Sequence, residues 1–145
     1  MDPAGYRSLS GIYLKQGRDD LALPQLLELA KAEDNDFEVA ARIARIHARR
    51  RQWGEAAYWY DRALMIAPFE VKLHVELAEV KMLASDTAGA LREYQMLTKL
   101  QPNKASHFAN AAMAAHKLGE QTRAHDLALR AVALDPDSPA KALLP

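Results

Sequence analysis

The residues with the clearest chemical potential form a basic run beside aromatic side chains. Residues 42 to 60 read RIARIHARRRQWGEAAYWY, with five arginines followed by two tryptophans and two tyrosines. Guanidinium groups contact phosphates and aromatic rings stack on bases, so this composition is compatible with a nucleic-acid site. The whole chain, however, balances 19 basic against 19 acidic side chains and lacks the broad positive field of nucleic-acid binders. The charge balance therefore argues against nucleic acid as a partner.

The sequence contains no recognisable catalytic or metal-binding pattern. Its five histidines show neither HExxH nor another paired-ligand spacing, and no cysteine is present to complete a zinc site. Glycine-rich phosphate loops and the GxSxG motif are also absent. Glu76 and Glu79 share a predicted helix face, but surface acid pairs are usually solvated. We predict no catalytic residues, no metal and no cofactor, and hence a protein that is not an enzyme.

Length and hydropathy predict a folded chain without membrane insertion. Half of the 145 residues are hydrophobic, which is enough for one domain with its own core. No apolar run reaches the length that spans a bilayer, and the N-terminal residues lack the regions of a signal peptide. We therefore expect a soluble protein, with the cytoplasm as the default compartment.

A regular internal repeat organises the chain. Pro68, Pro102 and Pro136 recur at a constant step of 34, and alanines at 22, 56, 90 and 124 keep the same step. Placing each proline at position 32 of a repeat divides the chain into repeats 3–36, 37–70, 71–104 and 105–138. Residues 139–145 then form the start of a further helix or a stub cap.

This pattern resembles the tetratricopeptide repeat, a helix-turn-helix unit of about 34 residues with small residues at positions 8, 20 and 27 and proline at position 32. The match departs at position 4, where the frequent tryptophan is replaced, and in the first repeat, where Asp34 replaces the proline. The resemblance implies an all-α, right-handed α-solenoid of antiparallel helix pairs, with residues 3–138 as a single domain.

Several residues acquire structural interpretations in this register. Trp53 and Tyr60 fall on the packed face and are expected in the core, while Tyr58 points away from it. The arginines end a first helix, where cations interact favourably with unpaired carbonyls. Gly17 and Gly119 lie where first helices must stop. Pro24 lies inside a second helix, which we expect to be kinked or to begin near Leu23.

The resemblance also implies which residues face a concave groove. Its N-terminal half is expected to be basic, which suits an acidic segment or a terminal carboxylate. The Lys and Asn set that holds a peptide C-terminus in some family members is not reproduced, because Gly11 and Arg42 occupy the asparagine positions. Solvated helix faces also collect charges, so an inert surface remains the alternative. The predicted partner-binding residues are Arg7, Arg42, Arg45, Arg49, Lys72, Glu76, Glu79, Asn110 and Lys117.

Three functions are compatible with this sequence. The resemblance implies a protein-interaction scaffold that binds a peptide or helix of a partner protein in its concave groove. The alternatives are an accessory segment of a larger enzyme or assembly complex, and a helical-repeat RNA binder. Repeat ends without polar caps also predict self-association through their apolar stacking faces.

Overall fold

The computed structural model describes residues 1–145 and consists of eight α-helices followed by a short 3-10 helix, without strands. Each repeat contains two helices. The first helix begins at residue 3, 37, 71 or 105 and the second at residue 19, 53, 87 or 121, so both series recur every 34 residues. None of these helices is long and apolar enough to cross a membrane. The helices are α1 (Pro3–Lys15), α2 (Asp19–Ala32), α3 (Phe37–Arg49), α4 (Trp53–Ile66), α5 (Val71–Leu83), α6 (Thr87–Leu100), α7 (Ala105–Lys117) and α8 (Gln121–Leu134), with the 3-10 helix at Pro139–Leu143.

The turn inside each helix pair has the same backbone conformation. Gly17, Arg51, Ser85 and Gly119 have φ angles of 68°, 58°, 62° and 80°, and they follow the repeat of the helices. Each turn is closed by two backbone bonds that define a Schellman motif, such as Arg18 N–H to the Tyr13 carbonyl at 2.9 Å and Gly17 N–H to the Leu14 carbonyl at 3.1 Å. The left-handed residue reverses the chain and orients the second helix.

Small side chains allow the two helices of each pair to approach closely. Ala22, Ala56, Ala90 and Ala124 at position 20 are all buried, as are Ser10, Ala44, Ala78 and Ala112 at position 8. Any larger side chain there would separate the helices, because protein interiors leave few voids. The repeating small residues therefore set the packing distance within each pair.

The chain divides into two compact units at Pro68. The N-terminal unit (Met1–Pro68) contains α1 to α4. Its core contains Leu26, Leu29, Val39, Ile43 and Ile46. The side chain of Asp36 starts α3 by accepting a hydrogen bond from the Glu38 N–H.

Helix α2 corrects one of the two alternatives expected for Pro24, the late start. The helix begins at Asp19 and passes through Pro24 to Ala32, so its start is not delayed to Leu23. Pro24 is the sixth residue of the helix and is exposed, so it removes one backbone bond while its ring stays outside the core. The packing of Ala22 and Leu26 on either side of it stabilises the continuous helix.

The C-terminal unit (Phe69–Pro145) contains α5 to α8 and the 3-10 helix. One core cluster joins Phe108, Ala112 and Ala128 to Ala140 of the 3-10 helix. The guanidinium of Arg130 lies 4.5 Å from the centroid of the Phe108 ring. The terminal 3-10 helix therefore packs against both α7 and α8.

Candidate protein-binding site

A basic cleft lies in the N-terminal unit. Arg42, Arg45 and Arg49 are spaced by three and four residues, which places them on one face of α3. They line a cavity of about 390 Å³ together with Leu14, Gly17 and Asp19. We call this cavity the basic cleft.

Arg49 forms an ion pair with Asp19 inside the basic cleft. Its Nε and Nη2 donate to the two carboxylate oxygens of Asp19 at 2.7 and 2.9 Å. The hydrogen bond from Arg49 lowers the pKa of Asp19, and the same bond raises the pKa of Arg49. This bidentate pair joins the end of α3 to the start of α2.

The other two arginines of the basic cleft differ in their ion pairs. Arg45 Nη1 lies 3.6 Å from Glu38 Oε1, which is a loose ion pair, and its side chain is about three-quarters buried, with 24% exposed. Arg42 lines the cleft and makes no ion pair. The guanidinium of Arg42 therefore lines the cleft without an ion pair.

Arg7 lies apart from this cleft. Its guanidinium pairs with Glu33 and lies 3.0 Å from the Asp36 carboxylate, so Arg7 joins α1 to the turn between α2 and α3. The side-chain hydrogen bond to Asp36 is the main cause that raises the pKa of Arg7. Arg7 is half-exposed but already occupied by two carboxylates.

The predicted residues of the C-terminal unit are partly brought together. Lys72, Glu79, Asn110 and Lys117 are exposed, and Glu76 is half-buried. Glu79 and Asn110 share a small cavity of about 150 Å³, whereas Lys72 and Lys117 do not line it. Its remaining walls are Val75, Tyr94, Leu97, Lys104, Ser106 and His107.

Two residues of this small cavity escaped the sequence interpretation. Burial, followed by the Glu79 charge, raises the pKa of Tyr94, and burial lowers the pKa of His107. His107 Nε2 lies 2.7 Å from Gln101 Oε1. Tyr94 occupies position 24 of its repeat, and the repeat pattern predicts a packing residue at that position. Its polar hydroxyl was the only feature in the sequence that could have indicated a site.

The aromatic cluster is divided between core and surface. Tyr60 is 2% exposed, Trp53 is half-buried and Tyr58 is 56% exposed. The Tyr58 and Trp59 rings meet edge to face with centroids 5.6 Å apart. A row of parallel rings, on which successive bases could stack, is therefore not formed.

The repeated helix pairs define an all-α helical-repeat protein of the solenoid class. The family model described as tetratricopeptide repeat matches residues 3–71 and 75–139. The chain therefore belongs to the tetratricopeptide repeat family, a family that typically serves as scaffolds for protein interaction and is generally non-enzymatic.

One curated relative and several solved structures are similar to this chain. Anaphase-promoting complex subunit 3 of Schizosaccharomyces pombe is 29% identical over 122 residues, which is 84% of this chain but 18% of that protein. The chain thus spans about a fifth of that relative's length.

Among solved structures, a MamA double mutant from strain RS-1 has a TM-score of 0.77 at 22% identity, over 92% of this chain and 75% of its own. YrrB, described as having an unusual peptide-binding site, has a TM-score of 0.76 at 14% identity, over 97% of this chain and 72% of its own. At these identities the likeness shows the fold alone.

Proposed function

We propose that this chain is a protein-interaction module whose basic cleft binds an acidic segment of a partner protein. The observation that carries the proposal is the guanidinium of Arg42, which lines the cleft without an ion-pair partner. Guanidinium groups bind carboxylates through two parallel hydrogen bonds, and the half-buried position of Arg42 strengthens that attraction relative to open water.

The other cleft residues have distinct roles in this proposal. Arg45 adds a second cation to the lining, and the aliphatic side chain of Leu14 adds an apolar contact. Asp19 repels a carboxylate that approaches Arg49, so the acidic group of the partner is directed to the Arg42 end. We therefore expect the cleft to prefer a segment that combines an acidic with an apolar side chain over a uniformly acidic one.

The remaining residues of the sequence-based set belong to the same proposal. Lys72, Glu76, Glu79, Asn110 and Lys117 of the C-terminal unit are proposed to contact other parts of the same partner and to set its selectivity. Glu79 and Asn110, which share a cavity, are the pair for which this role is best supported. Arg7 is proposed to contact the partner only if a carboxylate of the partner replaces Glu33 or Asp36 at its guanidinium.

A role as one segment of a larger assembly protein is the second candidate. It is supported by the relative, which is named as a subunit of a complex and is much longer than this chain. The two candidates are compatible, because an assembly subunit also uses its repeats to bind other proteins. An RNA-binding role has no comparable support, since the cleft offers arginines without stacked rings.

Fluorescence anisotropy with defined peptides tests the basic cleft. The probes are fluorescein-labelled peptides of roughly ten residues that alternate Glu and Leu, with a Gln-for-Glu version as the uncharged control. We expect Arg42→Glu to weaken binding of the Glu peptide at least about tenfold. Arg92→Glu on the exposed face of α6 is the matched control and should leave the affinity unchanged.

Three results would contradict the proposal. The first is equal affinity for the Glu and Gln peptides. The second is an effect of Arg42→Glu no greater than that of Arg92→Glu. The third is binding of single-stranded RNA with a steep salt dependence together with no binding of the peptides.

A further inference from the structure

A second surface of the N-terminal unit lies on the second helices, α2 and α4. Two adjoining cavities of about 510 and 350 Å³ share Leu27 and Lys31, and together they form what we call the outer furrow. The outer furrow shares no lining residue with the basic cleft. It is therefore a separate candidate surface for another molecule.

The floor of the outer furrow is apolar and rests on the core. Leu23, Leu27, Ala30 and Trp59 are packed against the core cluster of the N-terminal unit, and each remains partly exposed. Side chains held by a core lose little freedom when a partner covers them, so binding there costs less entropy. Tryptophan and arginine also recur at the residues that dominate protein–protein affinity.

Arg62 is held in place at one end of the outer furrow. Its guanidinium lies 5.2 Å from the centroid of the Trp59 ring, and Nη1 donates to the Tyr58 hydroxyl at 3.4 Å. No carboxylate forms an ion pair with Arg62. Asp34 lines the same cavity but forms no ion pair with Arg62, so this oriented guanidinium can bind a carboxylate of a partner.

The opposite end of the outer furrow offers hydrogen-bond acceptors. Pro24 has no N–H, so the helical bond to the carbonyl of Asp20 is missing, and the Asp20 carboxylate makes no ion pair. Arg50 lines the same cavity as Asp20. This end therefore offers both hydrogen-bond acceptors and a cation to a partner.

The length of the outer furrow indicates the kind of occupant. Its lining residues on α2 run from Asp20 to Lys31, which is about 17 Å at the helical rise per residue, and Asp34 extends it beyond the end of the helix. The unit has no strand edge that could pair with an extended peptide, whereas a helix satisfies its own backbone. We propose that the outer furrow binds an amphipathic helix of a partner protein, with its apolar stripe on Leu27 and Trp59 and a carboxylate on Arg62.

Stapled helices of defined charge test this assignment. One set of peptides of roughly 16 residues carries Leu and Trp on one face and a single Glu beside that face, and a second set carries Lys in place of Glu. By anisotropy we expect Arg62→Glu to weaken the best Glu peptide at least about tenfold. The same variant should strengthen the matching Lys peptide by a similar factor, because the charges are exchanged.

Two control variants separate this surface from the others. Arg123→Glu, at an exposed position of α8, should leave the binding of both peptides unchanged. Arg42→Glu should also leave it unchanged while it weakens binding to the basic cleft. Circular dichroism melts show whether each variant is folded at the temperature of the assay.

The inference is overturned if neither set binds the wild-type protein at ~1 mM. It is overturned equally if Arg62→Glu weakens the Glu and Lys peptides alike, or if Arg42→Glu removes the binding.

Discussion

At the scale of single residues, the structure separates arginines that already form an ion pair from those that do not. Arg42, Arg45 and Arg49 look equivalent in the sequence, but Asp19 occupies Arg49 through two hydrogen bonds while Arg42 makes no ion pair. Asp19 is 30 residues away from Arg49 along the chain. The difference between the arginines therefore arises only when α2 and α3 are packed together.

The Asp19–Arg49 pair predicts a pH dependence of stability. Because the pKa of Asp19 is lowered in the folded protein, its contribution is present above the unfolded value of about 3.9 and is lost as the pH falls through the folded value. Arg49 is half-exposed, so we expect Asp19→Asn to cost at most about 1 kcal/mol at pH 7. Urea unfolding at pH 7 and pH 3 measures this cost.

We expect the free energies of unfolding of wild type and Asp19→Asn to differ at pH 7 and to converge at acid pH. Asp126→Asn, at an exposed carboxylate of α8, is the matched control and should show no such convergence. A constant difference at both pH values would show that the Asp19 charge is not the cause.

The left-handed turns make a second prediction at this scale. Ser85 has a φ angle of 62°, a conformation that costs a residue with a side chain about 1 kcal/mol relative to glycine. We expect Ser85→Gly to raise the free energy of unfolding by up to about 1 kcal/mol, and Gly119→Ala to lower it by a similar amount. Thermal and urea unfolding of both variants measure these changes. A loss of stability in Ser85→Gly would refute the account.

At the scale of helices, the periodic small residues determine the packing. Ala90 is completely buried in α6, whereas Ala88, two residues earlier on the same helix, is exposed. We expect Ala90→Leu to reduce stability by about 1 to 3 kcal/mol because it overpacks the contact with α5. Ala88→Leu should change stability little. Urea denaturation compares the two, and equal effects would show that helix spacing is not the cause.

The helices also show where sequence interpretation stops. Their positions follow from the period of 34, because proline and small residues recur at fixed places along the chain. Of the two outcomes expected for Pro24, the late start at Leu23 is wrong, because α2 begins at Asp19 and core contacts lie on both sides of the proline. Arg51 and Ser85 adopt the left-handed turn without a glycine, so the signal that identified Gly17 and Gly119 is missing there.

At the scale of the whole molecule, class and family follow from the sequence, whereas the two surfaces that we propose for binding follow from it only partly. The step of 34 and the small residues specify the tetratricopeptide repeat. The basic cleft was predicted through its arginines, but Asp19 was not, because ion pairs between distant helices depend on side-chain positions. The outer furrow gave no sequence signal, since Leu27, Trp59 and Arg62 each resemble ordinary packing or surface residues.

The four recurring turns have a practical consequence for labelling. Both closing bonds of each turn join backbone atoms only, so the side chain at the left-handed residue takes no part in holding the hairpin together. Arg51 and Ser85 extend from such positions in the N-terminal and C-terminal units respectively. A cysteine introduced at either site would be unique in a chain that has none, and would carry a fluorophore or crosslinker at a place where its attachment leaves the fold intact.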